Sequence, residues 1–294
     1  MEAAVTGATG LVGTEVSRQL IADGHSVRPV SRSPGAGRIV WDPGAGHLDA
    51  AELEGIDAVV HLAGETISGI WTAEKKQRIR DSRIQGTTLL AERLAGLQRK
   101  PRVLVSASAI GYYGAMTDGA VTESAPAGAG FLAEVCQAWE AATATAEAAG
   151  IRVVHLRIGI VLSPNGGALA ALGPLFKSGL GGPIGDGHRY MSWITNTDLA
   201  RAACFCLAET SLSGPVNAVA PNPVTNAAFT RALGAVVRRP TLLPAPPVMM
   251  KLLLGELAEQ TLLSDCRVLP AKLNAAGFTF EHPEIRAAFE AIMR

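Results

Sequence analysis

The stretch Thr6-Gly7-Ala8-Thr9-Gly10-Leu11-Val12-Gly13 decides the fold of this chain. It follows an apolar run over residues 1–6 and precedes residues 11–22, whose apolar positions recur at helical spacing. The first glycine permits a tight turn, the second lets the backbone approach a pyrophosphate, and the third lets helix and strand pack closely. A plain glycine-rich turn between a strand and a helix is the alternative. We predict a nucleotide site whose contacts are Gly7, Thr9, Gly10, Leu11, Val12 and Gly13.

The second predicted strand, over residues 27–31, ends without a carboxylate. An acidic residue about twenty positions beyond the glycines would hold the ribose 2′-hydroxyl of NAD. Here Ser31 and Arg32 stand at the strand end, where a guanidinium can fork onto a 2′-phosphate and a hydroxyl can donate to it. We therefore predict that NADP(H) is the cofactor, with Ser31 and Arg32 as contacts; the alternative is an exposed loop arginine.

Strand and helix patterns alternate along the first half of the chain. Further strands are predicted over residues 57–62, 102–106 and 151–160, and a long helix over 73–97. Such alternation predicts a parallel sheet covered on both faces, with right-handed crossovers. We expect an α/β protein with a Rossmann-type doubly wound parallel sheet over residues 1–162. After residue 162 glycine and proline become frequent, which predicts a smaller C-terminal α+β substrate lobe over 163–294, interleaved in part with the first domain.

Composition narrows the function classes. The 294 residues carry a formal net charge of zero and a pI near 7, which argues against nucleic-acid or membrane-surface partners. The first residues enter a strand pattern at once, and no apolar run reaches the ~20 residues of a membrane span, so a cytoplasmic location is expected. The four cysteines lack paired spacing, so we expect buried thiols and no metal site. The expected partner is a small-molecule substrate, and the sequence does not distinguish a monomer from a homodimer.

Several stretches resemble a known family. The glycine run is similar to the Thr-Gly-x-x-Gly-x-x-Gly signature of extended short-chain dehydrogenases/reductases, a group that includes the sugar-nucleotide epimerases. The likeness extends over nearly the whole chain and is most specific for the branch called the epimerase family of atypical short-chain dehydrogenases, whose substrates are often unknown. The stretches that carry it are His61-Leu62-Ala63-Gly64-Glu65, residues 81–87, 156–162 and 181–185, Arg38-Ile39-Val40-Trp41-Asp42, Trp139-Glu140, and residues 269–283.

The resemblance implies further cofactor contacts, namely Leu62, Ala63, Gly64, Arg83 and Val161. Leu62, Ala63 and Val161 are strand-end residues that core packing alone also explains. Arg83 has the alternative of a solvated charge on a helix. These residues are therefore expectations that rest on the family likeness rather than on the residue pattern alone.

The catalytic pattern of the family is incomplete in this chain. Relatives combine a Ser or Thr with a Tyr-x-x-x-Lys pair, in which the lysine lowers the pKa of the tyrosine and holds the nicotinamide ribose. Ser108 is the best candidate for the serine and Ser106 the second. Cys136 and Glu140 stand where the tyrosine and lysine would be. None of the three tyrosines has a lysine four residues further on; they are Tyr112, Tyr113 and Tyr190.

Three interpretations stay open for the catalytic centre. Glu140 acts as the acid/base or binds substrate, Tyr112 or Tyr113 supplies the phenol, or the site binds cofactor without hydride transfer. The leading expectation is an NADP(H)-binding oxidoreductase or epimerase-like enzyme on a small organic substrate, with Ser108, Tyr112 and Glu140 as catalytic candidates. The alternatives are a non-catalytic NADPH-binding sensor or regulator, and a sugar-nucleotide epimerase that holds its oxidised cofactor tightly.

Overall fold

The computed structural model describes residues 1–242, 244–246, 248, 252, 255–262 and 264–293. The strands are β1 (Glu2–Thr6), β2 (Ser26–Ser31), β3 (Ile39–Asp42), β4 (His47–Leu48), β5 (Ala58–His61), β6 (Val103–Ala109), β7 (Met116–Val121), β8 (Arg152–Ile158), β9 (Ile160–Ser163), β10 (Tyr190–Met191), β11 (Trp193–Thr195), β12 (Gly214–Ala218), β13 (Val224–Thr225) and β14 (Cys266–Val268). The helices are α1 (Leu11–Ala22), α2 (Ala73–Ala95), α3 (Phe131–Ala141), α4 (Ala144–Ala148), α5 (Gly167–Lys177), α6 (Asn196–Ala208), α7 (Asn226–Val237), α8 (Ala271–Ala275) and α9 (Ile285–Ile292).

Eight strands form the central sheet, in the order β12-β8-β6-β5-β1-β2-β3-β4. Every neighbouring pair is parallel except β3 and β4, which are antiparallel. The strand order reverses between β1 and β5, and ligands of open α/β sheets bind at the carboxyl ends of the strands beside such a switch point. The predicted Rossmann-type doubly wound fold is confirmed.

Helix α1 forms over the predicted residues 11–22, but the predicted strand over 151–160 is divided at Gly159. A Cβ at Gly159 would lie 2.7 Å from the Ser192 carbonyl oxygen, so the chain there runs directly against a neighbouring segment. Beyond Gly159 the chain leaves the central sheet, and β9 pairs with β11 instead. The single predicted strand is therefore two strands in two sheets.

The second half of the chain contributes both to the central sheet and to a separate apolar cluster. Strand β12 pairs with β8 at the edge of the central sheet, and α6 packs against α1 in the same core. The short sheets β9/β11 and β10/β13 contribute to a separate apolar cluster that includes Trp193, Phe229 and Phe289, whereas β7/β14 packs in another cluster with Tyr113. Chain from beyond residue 162 therefore returns to the central sheet. The domain boundary proposed at that residue stays a prediction. No helix in the described part of the chain is long and apolar enough to cross a membrane.

Candidate cofactor and active site

The turn between β1 and α1 is shaped by its three glycines. Gly7 adopts a φ of +66°, and the Gly10 amide donates to the Gly7 carbonyl at 2.9 Å. A Cβ at Gly13 would overlap that same carbonyl, so the first turn of α1 packs directly on the strand end. Gly10 caps α1 without a side-chain hydrogen bond, which leaves helix N–H groups free for a ligand oxygen. This cradle fits the pyrophosphate of a dinucleotide.

His61 connects this turn to the helices behind it. Thr6 Oγ1 accepts from the Leu62 and Ala63 amides at 3.0 and 3.1 Å, so its own proton is directed to His61 Nδ1 at 2.8 Å. His61 Nε2 then donates to Thr87 Oγ1 at 2.9 Å. Complete burial lowers the pKa of His61 to about 4. The imidazole is therefore neutral and structural, held by two threonine hydroxyls.

A cleft of about 1160 Å³ opens above the carboxyl ends of β1, β2 and β5, beside α1 and α2. The predicted cofactor contacts that line this cleft are Gly7, Thr9, Gly10, Ser31, Arg32, Leu62, Ala63 and Gly64. The other predicted contacts lie outside its lining: Leu11, Val12, Gly13, Arg83 and Val161. Contact of each residue with the cofactor stays a prediction. The structure does bring the residues after β2 and the residues after β5 into one cleft, on either side of the glycine turn.

The cleft has a basic end. Arg32 and Arg38 both line it and both are exposed, while the carboxylate of Asp42 accepts from the Gly44 and Ala45 amides. Arg38 is not among the residues predicted for the site from the sequence. It directly precedes β3, and the pairing of β3 with β2 places it at the cleft. The Ser31 hydroxyl donates to the Ser33 carbonyl at 2.8 Å, so the expected donation to a phosphate requires that this bond be released.

A second group of polar side chains lies at the carboxyl end of β6. Ser108 Oγ donates to Glu140 Oε1 at 2.7 Å, and Arg157 Nε and Nη2 donate to the two Glu140 oxygens at 2.8 Å each. The side chains of Glu140 and Arg157 are only 11% and 3% exposed. A carboxylate that accepts three bonds from a hydroxyl and a guanidinium acts as a counter-ion. This geometry speaks against Glu140 as an acid/base.

The two adjacent tyrosines have different surroundings. Tyr113 accepts from Arg157 Nη1 at 2.9 Å and donates to Asn217 Oδ1 at 2.7 Å, and burial raises its pKa. The Arg157 guanidinium carbon lies 3.4 Å from the centroid of the Tyr112 ring. Tyr112 is partly exposed, and its hydroxyl has no hydrogen-bond partner among the residues that the structure describes. Tyr112 is therefore the phenol of the two that is available to a substrate.

Helix α3 presents Leu132 and Cys136 to the loop that follows β6. A Cβ at Gly111 would lie 3.2 Å from the Leu132 Cβ and 3.9 Å from the Cys136 Sγ. Burial raises the pKa of the Cys136 thiol to about 11, so this thiol stays protonated at neutral pH and is no nucleophile. Where the family pattern has its tyrosine, this chain has the buried, protonated thiol of Cys136.

Comparisons with known proteins agree with this geometry. The model of the NAD-dependent epimerase/dehydratase family matches residues 3–219, and a domain of unknown function matches residues 245–292. The epimerase family protein Mb2239 of Mycobacterium bovis is 44% identical over 288 residues, covering 97% of this chain and 95% of the relative.

Two solved structures are similar over the whole chain. The human epimerase family protein SDR39U1 with NADPH superposes with a TM-score of 0.90 at 33% identity, covering 99% of each chain. A nucleoside-diphosphate sugar epimerase of Corynebacterium glutamicum superposes with a TM-score of 0.84 at 38% identity, covering all of this chain and 58% of the other. The prediction of a nicotinamide dinucleotide cofactor is confirmed by the family, and NADPH is the form described with the human relative. The chain belongs to the NAD-dependent epimerase/dehydratase family, in agreement with the resemblance drawn from its motifs.

Proposed function

We propose that this protein is an NADPH-dependent oxidoreductase that acts on a carbonyl or hydroxyl carbon of a small organic substrate. The observation that carries the proposal is the cleft at the strand switch point, which pairs a glycine cradle with Arg32 and Arg38 at its far end. The NADPH described with the human relative supports the choice of the phosphorylated cofactor. The polar centre after β6 supports chemistry beyond cofactor binding.

The residues of the cleft divide the binding task. The free amides at the start of α1 hold the pyrophosphate, and Arg32 with Arg38 holds the 2′-phosphate by charge-assisted hydrogen bonds. Leu62, Ala63 and Gly64 form the wall that the cofactor passes on its way to Ser108. NADPH supplies a hydride when bound.

Tyr112 is the proposed proton donor to the substrate oxygen. Its ring lies on the Arg157 guanidinium, whose positive charge favours the negative charge that develops on the phenol oxygen as the proton leaves. Ser108 keeps its proton directed to Glu140, so its lone pair accepts from a hydroxyl of the substrate or from the hydroxyl that reduction creates. The Glu140–Arg157 ion pair keeps both Ser108 and Tyr112 in position.

A non-catalytic NADPH-binding protein is the second candidate. The observation that favours it is the internal pairing of the centre: Ser108, Glu140, Arg157 and Tyr113 satisfy one another. Under this alternative the pairing is a filled, structural core, and NADPH binding changes the affinity for another molecule.

Tyr112→Phe tests the proposal, with Tyr190→Phe as the control that removes a phenol elsewhere. NADPH oxidation would be followed with a panel of aldehydes and ketones. We expect turnover by the wild type and by Tyr190→Phe, and a kcat lowered about 100-fold in Tyr112→Phe with unchanged NADPH affinity, as for loss of a general acid. Equal turnover in Tyr112→Phe would contradict the proton-donor role. NADPH binding with no turnover of any carbonyl would favour the non-catalytic candidate.

A further inference from the structure

A second crevice lies at the opposite edge of the central sheet from the cofactor cleft. It has a volume of about 570 Å³ and opens between the end of α1, helix α6 and the chain that follows α8. Met1 and His25, which directly precede β1 and β2, line it, so it lies at the amino ends of the strands. Among the described residues, none lines both this crevice and the cofactor cleft. The crevice is therefore a separate cavity, of a volume that suits a small molecule.

The wall of the crevice is apolar and largely aromatic. Leu20 of α1 lies at its base, and Ala208 extends it at the end of α6. Phe205 of α6 packs at a tilt against Phe278, with ring centroids 5.4 Å apart. Small-molecule sites combine such walls with a small number of polar groups that orient the ligand. The wall therefore indicates a ligand with a compact apolar or aromatic body.

Arg201 is a cation held in place on one side of the crevice. Its Nη1 donates to Asp198 Oδ1 at 2.8 Å, and its guanidinium carbon lies 5.4 Å from the centroid of the Phe278 ring. Asp198 also accepts from the Glu281 and His282 amides at 2.8 and 2.9 Å, so it divides its negative charge among several donors. Nε and Nη2 of Arg201 have no hydrogen-bond partner in the described part of the chain. A fixed guanidinium with two open nitrogens suits a carboxylate.

Asp23 is an anion on the facing side of the same crevice. It directly follows α1 and is exposed, and its Oδ1 accepts from Gln19 Nε2 at 3.0 Å. Its Oδ2 has no partner among the residues that the structure describes. Asp23 lies close enough to Cys204, which is one turn of α6 beyond Arg201, to act electrostatically on that thiol. Asp23 and Arg201 therefore face the same space, yet no ion pair between described residues joins them.

We propose that this crevice binds a free α-amino acid with an apolar or aromatic side chain. The carboxylate of the ligand accepts from Arg201, its ammonium donates to Asp23, and its side chain packs on Phe205 and Phe278. A ligand with one charge would leave either Arg201 or Asp23 without a partner. The 12 residues of α1 place the glycine turn about 18 Å away, so the amino acid and the cofactor do not compete.

The ligand itself supplies the first test, on the wild-type protein. Isothermal titration calorimetry would compare L-phenylalanine with 3-phenylpropionate, which lacks the ammonium, and with 2-phenylethylamine, which lacks the carboxylate. We expect saturable binding of phenylalanine, about threefold weaker binding of phenylpropionate because Asp23 is exposed, and about 10-fold or more weaker binding of phenylethylamine. The Kd of phenylalanine should be the same in the presence of NADPH.

Three variants assign the binding to the crevice. Arg201→Met should weaken phenylalanine about 10-fold or more. Asp23→Asn should weaken phenylalanine about threefold and leave phenylpropionate unchanged. Arg231→Met, which removes an exposed arginine from α7, is the matched control and should change neither ligand.

Four results would overturn the inference. Absence of saturable binding of both phenylalanine and leucine would remove the site. Equal affinities for the three phenyl ligands would reduce it to an unselective apolar surface. Unchanged phenylalanine affinity in a folded Arg201→Met would place the binding elsewhere, and displacement of phenylalanine by NADPH would place it in the cofactor cleft.

Discussion

The turn after β1 and the centre after β6 lie at the same edge of one sheet, yet the polar groups of the first are unpaired and those of the second are paired with one another. The turn leaves the amides at the start of α1 without side-chain partners. The centre pairs Ser108, Glu140, Arg157 and Tyr113 with one another. The first region is open to a ligand as it stands, whereas the second can engage a ligand strongly only by giving up an internal bond. Tyr112, at the edge of the second region, is the group whose hydroxyl takes no part in this pairing.

Removal of Glu140 should have the largest effect on stability and little effect on the turn. Glu140→Ala leaves the buried Arg157 without its counter-ion, which costs about 4 kcal/mol of unfolding free energy. NADPH affinity should change less than about twofold, because sites without shared partners act almost independently. Urea unfolding and NADPH titration of the variant measure the two quantities.

Glu134→Ala is the matched control, since Glu134 is on the same helix α3 and is 63% exposed. It should cost less than about 0.5 kcal/mol. A similar cost for the two variants would show that Arg157 is solvated without Glu140. A large loss of NADPH affinity in folded Glu140→Ala would remove the distinction between the two regions.

His61 is buried behind the turn, between Thr6 and Thr87, and should make stability depend on pH. The unfolded chain binds a proton at His61 near pH 6.5, whereas burial lowers the pKa in the folded state to about 4. As the pH falls between these values the unfolded state gains the proton first, so the unfolding free energy decreases, by on the order of 3 kcal/mol at pH 4. This loss should be absent above pH 7.

Two measurements assign that effect to His61. The buried His155, which donates to or accepts from Thr143, also has a lowered pKa and adds to the slope in the wild type. His61→Asn should remove its share of the slope while the His155 share persists. In the wild type, the NMR signals of the His61 ring should show no titration between pH 7 and 5; a midpoint near 6.5 would mean that the ring is not sealed between Thr6 and Thr87.

The elements around the turn could be predicted because their signals are local. Helix α1 begins and ends where its apolar spacing and its glycines place it, and β1 and β2 form at the predicted residues to within one position. A turn that needs a positive φ or close contact with a carbonyl needs glycine, and the glycines are visible in the sequence itself. The place of Arg32 in the cleft could be predicted in the same way, because Arg32 directly follows β2, while its contact with the cofactor stays a prediction.

The centre after β6 could be predicted only as a set of candidates. Glu140 and Arg157 meet because α3 packs on β6, the strand that pairs with β8, and no spacing in the sequence encodes a pair 17 residues apart across two elements. The same limitation concealed Arg38, whose position depends on the pairing of β3 with β2, and the division of the strand at Gly159, which depends on contact with Ser192. These features arise from tertiary contacts rather than from local pattern.

The most direct measurement is the affinity of the purified protein for NADPH and for NADH, in the wild type and in Arg32→Ala, followed by nicotinamide fluorescence. We predict that the wild type prefers NADPH by about 100-fold, since a guanidinium paired with a phosphate contributes two to three kcal/mol. Arg32→Ala should lose most of this preference with little change for NADH. Comparable affinities of the wild type for the two cofactors would contradict the assignment of Arg32, and absence of binding to both would reduce the glycine turn to a structural element.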